Sequence, residues 1–222
     1  MSFEDALKEW HSLKGDEVMG YCYGAMGDSF AMFSHSVLCG IKFGHPMLLS
    51  VNGGGKKEAN FRKFLEIVEH PHAIELTTKP ACKFEKLFCT RKHTSQYCSM
   101  KNKWLGNTSG PICYHYDKIT AHKRAERFPD IDEENYFLNT MNEIEAINIS
   151  YPMPLDEVAF ISSRCSRFVG IESGISHIMH AIGIPVTIRN WNGKWSNNRN
   201  KVEMYHPNKQ YDLIKTFYEL KK

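Results

Sequence analysis

Two turns in this chain carry residues whose types and spacing suit a binding and reaction site. The first lies in the stretch Phe168 to Ile188, FVGIESGISHIMHAIGIPVTI. Apolar Phe168 and Val169 run through Gly170 into Glu172, Ser173 and Gly174. Ile175, Ile178, Met179 and Ile182 then recur at helical spacing until Gly183, and Pro185 opens a further strand. The turn therefore stands at a helix N-terminus, where free backbone N–H groups and the positive end of the helix dipole receive phosphate or carboxylate. The second turn lies in Tyr23 to Phe33, YGAMGDSFAMF. There Gly24 and Gly27 let backbone approach a ligand closely, and Asp28 falls at or near the N-cap of the next helix. Capping alone accounts for Asp28 in isolation. Two such turns, each following a strand, favour a paired site.

Other chemistry-bearing patterns carry less. Asp130-Ile131-Asp132 has a form that binds divalent ions on substrate phosphates, but it precedes Glu133, Glu134 and a helical run, where acids simply favour the helix start. The Gly53-Gly54-Gly55-Lys56-Lys57 run lacks the spacing and the hydroxyl residue of a P-loop. His93, His115 and His122 show no ligand spacing among themselves, so no metal site is expected.

The elements that must position these turns alternate between strand and helix. An N-terminal helix precedes a strand at Val18 to Tyr23, a helix at Ser29 to Gly40, a strand at Pro46 to Val51 and an amphipathic helix at Ala59 to Glu69. The last presents Phe61, Phe64, Leu65 and Val68 on one face. Residues 77 to 110 lose this regularity and end in Gly106, Gly110 and Pro111. The second half reads as a strand at Ile112 to Tyr116, a loop at 117 to 130, a helix at 132 to 144 and a strand at 147 to 150. A helix at 154 to 163 and the opening stretch follow, with an amphipathic helix from Asn208 to the end. Such alternation predicts parallel sheets with right-handed crossovers, here in two domains, 1–108 and 109–222.

Composition bounds the partners. With 222 residues, 42% apolar content and no apolar run near the ~20 residues that span a bilayer, the expectation is a globular protein without membrane insertion. The acidic, amphipathic N-terminus is not a signal peptide, and seven cysteines without a C-x-x-C pair suit free thiols in the cytoplasm. Net charge is only +3, but basic residues far outnumber acids from Lys79 to Arg127. A second basic stretch, Arg189, Lys194, Arg199 and Lys201, is interleaved with Trp191 and Trp195. Basic residues mixed with aromatics suit a polyanion whose bases or sugars can stack, with Arg91, Lys92, Lys101, Lys103, Trp191, Lys194 and Trp195 as candidate binding residues.

The two turns together resemble the signatures of GT-B glycosyltransferases, most closely the heptosyltransferase-like family. That resemblance implies an α/β fold of two small Rossmann-like domains with parallel sheets facing a central cleft, and a C-terminal helix packing back on the first domain. It implies an inverting, metal-independent transfer from a nucleotide-diphosphate sugar, with UDP-sugars among the candidates and no further cofactor. Asp28 would be the general base and Gly24 and Gly27 cleft backbone. Glu172, Ser173, Gly174 and His177 would hold donor diphosphate and sugar, helped by Lys123 and Arg124 of the segment TAHKRAERF. The chain departs from the family pattern in having Glu172 for the usual Asp and Ile175 for the usual Pro. Its shortness is similar to phage enzymes that glycosylate hydroxymethylated pyrimidines in DNA, which would place it in the host cytoplasm. The alternatives are transfer to a glycan or lipid-linked sugar, a nucleotide-sugar epimerase or hydrolase, and a non-catalytic nucleic-acid-binding protein.

Overall fold

The computed structural model describes residues 26–51, 55–79, 97–116, 131–150, 152–189 and 195–198. The chain divides into two compact units, Met1–Lys101 and Asn102–Lys222. The second begins earlier than residue 109 because the segment after Asn102 bonds into it. Trp104 N–H donates to Ile182 O at 3.0 Å, Leu105 N–H to Ser163 O at 3.0 Å, and the Trp104 indole to Cys165 O at 2.9 Å.

In the first unit, helix α1 (Met26–Phe43) leads to strand β1 (Met47–Ser50), helix α2 (Gly55–Ile67), a 3-10 turn at Pro71–Ala73 and strand β2 (Ile74–Thr77). β1 and β2 pair in parallel, Met47 opposite Ile74 through Ser50 opposite Thr77. β2 was not anticipated, since its four residues, Ile-Glu-Leu-Thr, are too few to show a period. The helical faces meet in an aromatic core. Phe30 and Phe64 pack edge-on with ring centroids 5.1 Å apart, and Phe33 stacks on Phe61 at 5.9 Å, all four fully buried. Burial of each such ring stabilises the unit by about 1.5–3 kcal/mol. Contrary to expectation, Gly27 and Asp28 lie inside α1 rather than in a turn before it. Helix formers at Met26, Ala31 and Met32 carry the helix across the glycine.

The second unit runs β3 (Ile112–His115), α3 (Ile131–Glu143), β4 (Ile147–Asn148), α4 (Leu155–Ser162), β5 (Arg167–Ile171), α5 (Gly174–Ile182), β6 (Val186–Arg189) and β7 (Trp195–Asn198). The sheet order is β4-β3-β5-β6-β7. β4, β3, β5 and β6 are mutually parallel, whereas β7 returns antiparallel to β6, an exception to the all-parallel expectation. From β3 the chain steps out to β4 and then returns to the far side of β3 as β5. The order thus reverses between β3 and β5, and in open α/β sheets ligands bind outside the carboxyl ends of strands at that place. On one face, Phe137 and Met141 of α3 pack on Tyr114 and Val169. On the other, Cys113 of β3 faces Ser162 of α4, Sγ to Oγ 3.6 Å. Covered on both faces, β5 reads as a continuous buried run after Arg167.

The expected N-terminal helix, the strand at 18 to 23, the loops at 52–54 and 117–130, and the helix from Asn208 lie outside the described residues.

Candidate functional site

The carboxyl ends of β3, β5 and β6 bring together residues separated by more than seventy positions in sequence. β5 ends at Ile171, Glu172 follows with 5% exposure, and the half-buried Ser173 and Gly174 begin α5. Ser173 is the N-cap, with extended backbone. Ser176 locks the turn, its Oγ accepting from Ser173 N–H at 3.1 Å and donating to Ser173 O at 2.7 Å. The reciprocal half of this capping box, Ser173 Oγ toward the Ser176 amide, is looser and leaves that buried hydroxyl oxygen without a full hydrogen bond. The first N–H groups of a helix have no partner within it, so the turn offers donors to an incoming oxyanion. At the other end Gly183 closes α5 in the left-handed conformation, φ 89°, which favours glycine.

Electrostatics single out this helix. α5 has no acid in its first turn, whereas α3 has Asp132, Glu133 and Glu134 and α4 has Asp156 and Glu157. The first turn of α5 thus carries no acid, with Glu172 just ahead of its cap, while those of α3 and α4 meet acids of their own.

β5 is held close to β3 beside the turn. A side chain at Gly170 would bring its Cβ within 2.5 Å of His115 O, so the strand accepts only glycine there. β6 supports the turn from the other side, Glu172 N–H donating to Arg189 O at 2.9 Å. Arg189 was expected on a basic surface stretch, but it is buried and its guanidinium grips Glu133 with both forks, Nε to Oε1 at 3.0 Å and Nη2 to Oε2 at 3.1 Å. Glu133 lies far away in sequence, which hid the pair. Nearby, burial and then the Glu134 carboxylate push the Tyr116 phenol well above its ordinary range.

Of the expected donor-binding residues, Glu172, Ser173, Gly174 and His177 are contiguous at this edge. His177 is buried inside the helix packing. Burial, with His180 adding to it, pushes its pKa down to about 3, so it is neutral and brings no positive charge to an anion. Gly27 and Asp28 belong to α1 of the other unit. Lys101 is exposed, with Nζ on Glu66 O at 2.6 Å, and Lys103 is exposed as well. Trp195 begins β7. Gly24, Arg91, Lys92, Lys123, Arg124, Trp191 and Lys194 lie outside the described residues. Ser176, Glu133 and Arg189 were missed. Ser173 followed three residues later by Ser176 is a weak form of the capping-box pattern and could have drawn attention to the lock.

The described cysteines 39, 98, 113 and 165 are free and buried. Burial pushes the Cys39 thiol up to about 12 and Cys98 to about 11, which removes both as thiolate nucleophiles. Among the described residues no three His, Cys, Asp or Glu side chains gather as a metal site would require, and no helix is long and apolar enough to cross a membrane.

No protein-family model matches the chain, and no curated protein matches it significantly. Solved structures do. The dodecameric iron-containing heptosyltransferase TibC, in complex with ADP-D-β-D-heptose, superposes with a TM-score of 0.51 at 13% identity, over 84% of this chain and 62% of that one. The structure of TibC from enterotoxigenic E. coli, described as a bacterial iron-containing dodecameric glycosyltransferase, gives 0.49 at 13% identity, over 79% and 59%. The chain thus spans about three-fifths of the length of these neighbours. The likeness establishes the fold as α/β and GT-B-like.

Proposed function

We propose that the protein is a glycosyltransferase that binds the diphosphate of a nucleotide sugar at the Glu172-Ser173-Gly174 turn. One observation carries this reading: an acid-free helix start with a spare hydroxyl at the strand-order reversal of a GT-B-like sheet. The ADP-heptose complex of the neighbour supports a nucleotide sugar as donor.

In the proposed reaction an acceptor hydroxyl attacks the anomeric carbon with inversion, the bond to the diphosphate oxygen breaks, and the nucleoside diphosphate leaves. The backbone N–H groups of the turn stabilise the charge that develops on the leaving group. Asp28 takes the acceptor proton as the new bond forms, and Lys123, with Arg124, offsets phosphate charge in place of a metal ion.

The basic, aromatic segments around 79 to 127 and 189 to 201 favour an anionic acceptor, and hydroxymethylated DNA is the acceptor we propose to test first. The test is incubation with a panel of nucleotide sugars, each offered with hydroxymethylated DNA, plain DNA and a glycan, followed by mass spectrometry for the gain of one sugar. No gain with any pair, from folded protein, rejects the transferase. Gain only on glycan rejects DNA alone. Consumption of donor without acceptor identifies a hydrolase or epimerase. Asp28→Asn should lower turnover about 10²–10⁴-fold while donor binding persists.

A further inference from the structure

Resting on the reading of the Ser173 turn as a diphosphate site, we propose that Arg189 is a positioning residue for that site, holding and neutralising Glu133 so that the carboxyl edge admits an anion. α3 packs across β3 and β5 through Phe137 and Met141, which carries its acid-laden first turn to the same edge as the acid-free start of α5. The two helix starts therefore pull in opposite directions on any anion that arrives.

Arg189 stands between them. It lies opposite Ile171 in the β5–β6 ladder, two residues before Ser173, and its carbonyl accepts the Glu172 N–H. Its side chain reaches the other way, to both oxygens of Glu133. Arg189 is therefore one strand, about 4.8 Å, across from the backbone that leads into the turn. A buried ion pair adds little to fold stability compared with apolar residues of the same shape. Here it has a second effect, because it cancels a carboxylate that would repel the diphosphate. The Glu172 carboxylate stays constant in every variant below, and the field of the Glu133–Arg189 pair is the part that changes.

The sign of the effect separates this role from a structural one. Binding of inorganic pyrophosphate, orthophosphate and ADP is measured by calorimetry for the wild type, Arg189→Met, Glu133→Gln and the double variant, at low and high salt. Arg189→Met, which removes the cation that offsets Glu133, should weaken pyrophosphate binding about tenfold. Glu133→Gln, which removes the carboxylate that offsets Arg189, should strengthen it severalfold, and the double variant should return close to the wild type. Both shifts should be larger for pyrophosphate than for orthophosphate and should shrink with salt.

Weakening by both single variants to the same degree for every ligand, without salt dependence, overturns the proposal and leaves the diphosphate site standing. Failure of the wild type to bind pyrophosphate or ADP overturns the site and the proposal with it. Should Arg189→Met not fold, Glu133→Gln alone decides, since only charge neutralisation predicts tighter binding from loss of a buried ion-pair partner.

Discussion

The starts of α3 and α5 lie at the carboxyl ends of neighbouring strands in one sheet, yet they are built for opposite purposes. α3 fills its first turn with Asp132, Glu133 and Glu134 and spends Glu133 on Arg189. α5 begins with Gly174, Ile175, Ser176 and a buried, neutral His177, and has no acid in its first turn. The same backbone device meets acids of its own first turn in one place and none in the other. Which of the two it becomes depends on two or three side chains.

The largest expected effect tests whether α5 depends on neutrality at His177. The folded-state pKa lies near 3 and the unfolded value near 6.5, so the folded form excludes a proton that the unfolded chain takes up. Stability is complete above pH 6.5 and falls as pH drops toward 3, by about 1.4 kcal/mol per pH unit once well below 6.5, or roughly 3 kcal/mol at pH 4. Thermal unfolding of the wild type and His177→Gln between pH 8 and 4 should show a steep decline only in the former. Equal slopes would mean that the buried histidine does not govern acid sensitivity.

Converting α5 into a copy of α3 is the next largest test. Gly174→Asp places an acid in the first turn and should weaken ADP binding by about 1–2 kcal/mol, roughly tenfold. Unchanged binding, measured by calorimetry on folded protein, would show that the anion does not seat at this helix. A smaller loss, about 1 kcal/mol, is expected from Ser173→Ala, which deletes the spare hydroxyl. Smallest of all is Asp132→Asn at the exposed start of α3, where stability by denaturant unfolding should move by no more than about 0.5 kcal/mol. A larger change there would end the idea that α3 is saturated with charge.

Much of this contrast was legible in sequence because both helix starts are local. Glu172 to Gly183 shows strand, cap, apolar period and glycine stop in one continuous reading, and the structure places the helix at Gly174–Ile182. The acids of α3 are equally plain in Asp132 to Glu134. What sequence hid were contacts across the sheet. Arg189 looked like one basic residue among several until the β5–β6 register and the packing of α3 set it against Glu133. Nor did sequence show that His177 would be buried in the packing of α5. β2 escaped because four residues hold too little pattern, and the helix expected from Ser29 begins at Met26.

The brevity of β4 has a consequence for association between copies of the chain. This strand is only two residues long, and it forms one end of the five-stranded sheet. An outer strand so short offers almost no row of open amides and carbonyls for a foreign strand to zip onto. Among the described residues, that side of the sheet gives little footing for growth from molecule to molecule.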